Sequence, residues 1–146
     1  MSNLNTIIGL DPGANTGLAV FQNGNLVELA TIHPASIRAA LVQWSPRRVV
    51  FEDSRLQGHA WTTHAARAAA LKMARNIGEV DGYCRIIVEH CAELGIMAHG
   101  ISPKGKGAKM DANSFRDLTG WNGRTNQHER DSAMCAWPYR RAHAGS

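Results

Sequence analysis

The chain has 146 residues, of which 44% are hydrophobic and 19% are charged, and its formal net charge is +4. These values are typical of one globular domain, here 1–146, and no apolar run approaches the roughly 18 residues that would predict a membrane-spanning helix. The positive charge favours an anionic partner such as nucleic acid, although many basic proteins bind none.

The amino terminus and the cysteines both predict a cytoplasmic protein. The sequence begins Met-Ser-Asn-Leu-Asn, without the basic and then apolar regions of a signal peptide. Cys84, Cys91 and Cys135 are odd in number and lack the close spacing of a metal site. We therefore expect reduced thiols in the core.

Hydrophobic periodicity predicts an α/β fold in which a five-stranded mixed sheet is flanked by helices. Turns rich in Gly and Asn separate the first three strands, which form an antiparallel meander. In chain order, the predicted elements are strands at 6–11, 17–22 and 26–32, a helix opened by Pro34, a strand at 47–53, a helix at about 63–94, a strand at 96–101, and helices at 111–118 and from 126 or 127 to 137.

The long predicted helix carries an apolar stripe with a period close to 3.6 residues, running from Ala66 through Met73 to Leu94. Gly78 and Gly82 lie four residues apart on it. Such glycines weaken an isolated helix but let another backbone approach closely. That neighbour is either the sheet or a second subunit, which makes this helix our candidate for a dimer interface.

The first predicted hairpin places a carboxylate at the end of an apolar strand. Asp11 ends the strand, the chain turns at Pro12 and Gly13, and apolar residues resume at Leu18. A buried strand holds a terminal carboxylate rigidly enough to bind a metal. Asp-Pro-Gly is also good turn chemistry, in which the acid only caps the turn. The hairpin alone leaves both interpretations open.

Three further residues stand where they would complete a metal site. Glu52 ends the fourth strand, and parallel pairing with the first strand would bring it beside Asp11. His128 and Asp131 are spaced i, i+3 and share one face of the last helix. Clustered carboxylates repel one another unless a cation is bound, and oxygen ligands with one imidazole suit Mg²⁺ or Mn²⁺.

Two such ions would activate a water and stabilise the leaving oxygen in phosphodiester hydrolysis. The segment His128–Asp131 by itself is more typical of a charged first helical turn with no site, its acids placed to suit the helix dipole.

Five segments also resemble a known family in their order and spacing. They are Ile8–Gly13 followed by Gly17, Val49–Glu52, Ala70–Arg75, Lys106–Lys109, and His128–Ala133. Together they resemble the RuvC-type Holliday junction resolvases of the ribonuclease H-like superfamily, in particular the small phage-encoded branch. The resemblance covers nearly the whole chain.

The resemblance implies a ribonuclease H-like fold with Asp11, Glu52, His128 and Asp131 as the catalytic, metal-binding set. It implies two Mg²⁺ or Mn²⁺ ions per site, and some family members carry Asp where His128 stands here. It also implies a homodimeric crossover junction endodeoxyribonuclease that binds a four-way DNA junction, nicks two strands of like polarity and leaves 5′-phosphate ends. For a phage-encoded member, the location would be the host cell cytoplasm.

The chain departs from the family pattern after Glu52. Bacterial members usually carry an aromatic wedge a few residues later, where this sequence has Arg55, followed by Trp61. Whether either residue replaces the wedge is open, so the expected activity extends to other branched DNA such as forks and flaps.

Basic residues predict where DNA would be contacted. A loop of glycines and lysines lets the backbone approach a phosphate while the lysines neutralise it. A solvated basic loop or helix face is the alternative for each residue. The candidate contacts are Lys104, Lys106 and Lys109 in the loop, and Arg55, Lys72 and Arg75 elsewhere.

Two other functions remain as alternatives. One is a non-catalytic branched-DNA-binding protein with the same fold, against which the retained carboxylates argue. The other is an ATPase of the sugar- or acetate-kinase type, because an Asp-x-Gly hairpin also opens those proteins, but they need far more chain than 146 residues.

Overall fold

A computed structural model describes residues 5–56, 67–103 and 108–141. The element order is the one predicted. The strands are β1 (Thr6–Asp11), β2 (Thr16–Gln22), β3 (Asn25–Ile32), β4 (Arg48–Glu52) and β5 (Met97–Ile101). The helices are α1 (Ile37–Trp44), α2 (Arg67–Leu94), α3 (Ala112–Thr119) and α4 (Gln127–Ala136). Short 3-10 turns occupy Pro34–Ser36, Ser54–Leu56 and Trp137–Tyr139. The first predicted residues of the long helix, 63–66, lie outside the described residues.

The described strands form one mixed sheet in the order β3-β2-β1-β4-β5. β1 pairs antiparallel with β2, and β2 pairs antiparallel with β3. β1 and β4 run parallel, as do β4 and β5. This confirms the predicted five-stranded mixed sheet and the parallel pairing of the first and fourth strands.

Helices cover both faces of the sheet. Because side chains alternate along a strand, Ile8 and Leu10 of β1 face one way and Ile7 faces the other. The first pair belongs to a core cluster with α1 and α2, and Ile7 belongs to a second cluster with α4 and Phe115 of α3. Asp11 has the parity of Ile7, so β1 presents it on the α4 face.

Helix α2 packs on the sheet only through its carboxyl-terminal half. Cys84, Ile87 and Cys91 are fully buried there, whereas Leu71 and Met73 are 51% and 55% exposed. The sheet therefore covers only the carboxyl-terminal part of the predicted apolar stripe, and Met73 lies on the part that the sheet leaves exposed. The reason is length: 28 helical residues span about 42 Å, whereas a six-residue strand such as β1 spans about 20 Å. The helix overhangs the sheet.

The three cysteines are free and buried, which confirms the sequence prediction. Burial raises the pKa of the Cys91 thiol to about 11, so this sulfur stays protonated and unreactive. Within the described ranges, none of the helices combines the length and hydropathy needed to cross a membrane.

Two glycines set the position of α4 over the sheet. A Cβ on Gly17 would lie 1.9 Å from the carbonyl oxygen of His128, and one on Gly9 would lie 2.2 Å from that of Ser132. Real side chains do not tolerate such contacts, so the helix backbone rests directly on the strands only because both residues lack a side chain. Gly17 is also the strand partner of Asp11.

We predict that Gly17→Ala lowers the free energy of unfolding by about 2–3 kcal/mol, because α4 must move away from the sheet. Gly13→Ala is the matched control, since its added Cβ would find its nearest neighbour, the Asn15 oxygen, at 3.6 Å. The control should keep or slightly raise stability, by about 0.5 kcal/mol. Urea unfolding measures both variants, and equal stabilities would contradict the steric role of Gly17.

Candidate active site

Two carboxylates leave the sheet side by side. Leu10 and Phe51 are paired in the parallel β1–β4 ladder, and Asp11 and Glu52 are the next residue on each strand. Glu52 has the same parity as Val50, which packs in the core cluster beneath α4. Both acids therefore belong to the α4 side of the sheet edge, as predicted from the strand ends.

Helix α4 is fixed at its amino terminus above this edge. Asn126 caps it by accepting from the Glu129 amide at 2.9 Å, and the Glu129 side chain accepts from the Asn126 amide at 3.0 Å. This reciprocal pair is a capping box. The Asn126 side chain also donates to Thr31 Oγ1 of β3 at 2.7 Å, which ties the helix start to the sheet.

The first turn of α4 brings an imidazole to the strand-end carboxylate. Nδ1 of His128 lies 3.6 Å from Oδ2 of Asp11, and the two side chains are 49% and 18% exposed. The distance exceeds that of a good hydrogen bond, so the two groups are neighbours within reach of a shared ion or water. His128 and Asp11, distant in sequence, thus meet as predicted.

Asp131 lies one turn further along α4 and is buried, with 6% of its surface exposed. Its Oδ1 accepts a hydrogen bond from Nε2 of Gln127 at 2.7 Å. Gln127 was not among the predicted site residues, although its i, i+4 spacing to Asp131 is a visible signal. It holds the Asp131 carboxylate in place.

Three carboxylates and one imidazole, the donor types that suit a hard divalent cation, lie at the ends of β1 and β4 and on the first turns of α4. Across residues 5–56, 67–103 and 108–141, however, no group of three His, Cys, Asp or Glu side chains is close enough to hold an ion as positioned. His128 and Asp11 are close, at 3.6 Å, but this pair alone is not a complete ligand set.

The carboxylate after Glu52 has a structural partner that sequence reasoning missed. Asp53 is 4% exposed, and its two oxygens accept from Nε and Nη2 of Arg55, each at 2.9 Å. These hydrogen bonds hold the pKa of Asp53 below its usual range, against the upward effect of burial. Gly100 of β5 makes room for this acid, because a Cβ there would lie 2.9 Å from the Asp53 side chain.

The same segment is joined to α2. Ser54 Oγ donates to Asp81 Oδ1 at 2.5 Å, and Cys84 Sγ lies 3.6 Å from the Glu52 carbonyl oxygen. The backbone that carries Glu52 is thus held from the sheet side and from the helix side.

The predicted DNA contacts fall into three groups. Lys104 and Lys106, like Trp61, lie outside the described residues. Lys109, Lys72 and Arg75 are exposed, the last two on the overhanging half of α2. Arg55 forms an ion pair with Asp53, so its guanidinium stabilises the folded chain whether or not it also contacts DNA.

Comparison with known proteins adds one finding. No protein-family model matches the chain, and no curated protein sequence matches it. Among solved structures, it is similar to T. thermophilus RuvC in complex with a Holliday junction substrate, with a TM-score of 0.66, 17% identity and 96% of each chain covered. This chain has a RuvC-like fold. That confirms the ribonuclease H-like architecture, and at this identity the similarity to RuvC establishes the fold alone, since one fold hosts many functions.

We predict that Arg55→Gln lowers the free energy of unfolding by about 1–3 kcal/mol near neutral pH, because Asp53 loses its charged partner. Asp53 has a depressed pKa in the folded chain, so the pair stabilises above the unfolded value of about 3.9 and is lost as pH falls through the folded pKa. The gap between the variant and the parent protein should therefore close below about pH 4, as followed by urea unfolding across pH.

The control is Arg38→Gln, which removes an exposed ion pair between Arg38 of α1 and Glu93 of α2 and should cost less than about 1 kcal/mol. A deficit in Arg55→Gln that stays constant down to about pH 3 would assign the effect to packing of the arginine rather than to its charge.

Proposed function

We propose that this protein is a divalent-metal-dependent endonuclease that resolves four-way DNA junctions and cuts other branched DNA, leaving 5′-phosphate ends. The observation that supports it most is the approach of His128 to Asp11, 3.6 Å apart, above the paired strand ends that carry Asp11 and Glu52. The proposed nuclease is a single domain, 1–146, of the small phage type, and it acts in the host cell cytoplasm. The RuvC-like fold supports it by analogy.

Each residue has a proposed role. Asp11, Glu52 and Asp131 would hold two Mg²⁺ or Mn²⁺ ions, with His128 as a further ligand or as the group that orients the attacking water. When bound, such ions supply an activated water and neutralise charge on the scissile phosphate. The chain itself positions these side chains: Gly17 admits α4 next to Asp11, and Gln127 orients Asp131.

Charge supports an acidic polymer as the substrate. Lys109, Lys72 and Arg75 are exposed, and the net charge is positive. Neutralising several phosphates releases counterions, which would provide sequence-independent affinity. Contacts from Lys104, Lys106 and Arg55 remain part of the proposal.

A second candidate function is that of a branched-DNA-binding protein without catalysis. It is favoured by one observation: within the described parts of the chain, no three potential ligands converge on a common point. Under this alternative, Asp11 and His128 would only form a contact between the end of β1 and α4.

We predict that Asp11→Asn retains binding to a four-way junction and loses cleavage by at least about 100-fold, because a neutral amide is a poor ligand for a hard cation. The matched control is Asp117→Asn, which removes an exposed carboxylate from α3 and should cut like the parent protein. Labelled four-way, three-way, flap and linear DNA would be incubated with Mg²⁺ and, separately, with Mn²⁺.

Undiminished cutting by Asp11→Asn would remove this residue from the mechanism. If the parent protein binds junctions but nicks none of these substrates with either metal, the non-catalytic alternative is correct.

We also propose that the protein acts as a homodimer through the overhanging half of α2. Leu71 and Met73 are exposed there, and a Cβ on Gly78 or Gly82 would find nothing within 4 Å. A second copy would bury this apolar surface, and the open glycines would let its backbone approach. Two active sites would then face a junction of two-fold symmetry.

We predict that Met73→Glu raises the dimer dissociation constant by about 100-fold or more, because a charge would be buried between the copies. Val42→Glu is the control, since Val42 is 60% exposed on α1 and lies away from the proposed interface. Sedimentation velocity over a range of concentrations measures both variants. A parent protein that stays monomeric at all concentrations would exclude the dimer.

A further inference from the structure

A polar cavity of about 220 Å³ lies between α3 and the segment that leads into α4. Its lining includes two arginines, Arg116 and Arg124, and two amide side chains, Asn113 and Asn122. The cavity is smaller than the clefts of about 300–1,000 Å³ that take drug-sized ligands. It therefore suits a single small group.

The cavity walls are attached to the helix that carries the candidate catalytic residues. Arg130 of α4 donates from Nη1 to both the carbonyl oxygen and the hydroxyl of Thr125, at 3.1 and 2.8 Å. Its Nε donates to the carbonyl oxygen of Met110 at 2.9 Å, just before α3 begins. Arg130 is two residues from His128 on α4, so the same helix contacts the cavity wall and carries a candidate active-site residue.

The chemistry of the lining selects an anion. No acidic side chain lines this cavity, and both guanidinium groups belong to exposed residues. Nη2 of Arg116 donates to Oδ1 of Asn113 at 3.3 Å, which restrains this guanidinium against the wall. Two guanidinium groups with nearby amide donors match the geometry of a phosphate, which arginine binds with paired hydrogen bonds.

We propose that this cavity is a phosphate-binding subsite that holds one backbone phosphate of the DNA strand entering the active site. The inference rests on the proposed DNA-binding function and adds a location to it. Lys109, exposed and just ahead of α3, adds a further positive charge on the segment that leads into this cavity. A phosphate fixed here would set the register of the strand relative to His128 without reading its sequence.

The test uses a double variant that carries both Arg116→Gln and Arg124→Gln. Its control is Arg38→Gln, because Arg38 is an exposed arginine on the other side of the sheet. Anisotropy titrations with a labelled four-way junction, in EDTA so that no cleavage occurs, give the dissociation constant over a range of salt concentrations. A circular dichroism melt checks that each variant is folded, and both arginines are exposed, so little loss of stability is expected.

We expect the double variant to bind about tenfold more weakly and to lose about 0.9 from the slope of log affinity against log salt, the value for one phosphate contact. Replacing both arginines by lysine should restore the slope, because lysine carries the same charge. It should restore only part of the affinity, because lysine cannot form the paired hydrogen bonds that arginine makes with a phosphate.

A methylphosphonate scan locates the phosphate. Junctions that each carry one neutral linkage should include a position that weakens binding by the parent protein but has no effect on the double variant. If no position behaves in this way, or if Arg38→Gln changes the salt slope equally, the subsite does not exist. These outcomes are independent of cutting by Asp11→Asn, so a non-catalytic protein could still have the subsite, and a nuclease could lack it.

Discussion

Direct contact between the backbone of α4 and the sheet underlies the whole candidate site. The His128 and Ser132 carbonyl oxygens occupy the space where side chains of Gly17 and Gly9 would otherwise be. Because Gly17 pairs with Asp11 across the β1–β2 hairpin, the turn of α4 that rests on this glycine is also the turn that brings His128 to the carboxylate. A small displacement of the helix would separate the imidazole from Asp11 while leaving the secondary structure intact.

The acids at the end of β4 illustrate how neighbouring carboxylates take different roles. Asp53 is buried and bound by Arg55 through two hydrogen bonds, so its charge is satisfied within the chain. Glu52 points by strand alternation to the other side, beneath α4, where Asp11 and Asp131 add further negative charge. If these acids came close together they would repel one another, and a divalent cation would offset that repulsion.

The two sides of the sheet carry surfaces of different chemistry, to which we assign different proposed partners. On one side of the sheet, α2 extends past the strands and leaves Leu71 and Met73 exposed, as expected for a surface that a second copy would cover. On the other, α3 and the segment before α4 carry arginines around a small cavity. Arg130 connects that cavity to the helix of the candidate catalytic residues, so a phosphate bound there would be held at a fixed distance from them.

The sequence by itself determined the element order, the mixed five-stranded sheet and the placement of Asp11 and Glu52 at strand ends, because these follow from local periodicity and turn residues. It also indicated His128 and Asp131 through their helical spacing. Only the tertiary structure decided which part of the α2 stripe is buried, since that depends on where the sheet ends. It alone showed the pairing of Asp53 with Arg55, the cavity between α3 and α4, and the approach of α4 through Gly9 and Gly17. Contacts between distant segments depend on the relative placement of whole elements, which no local pattern of residues specifies.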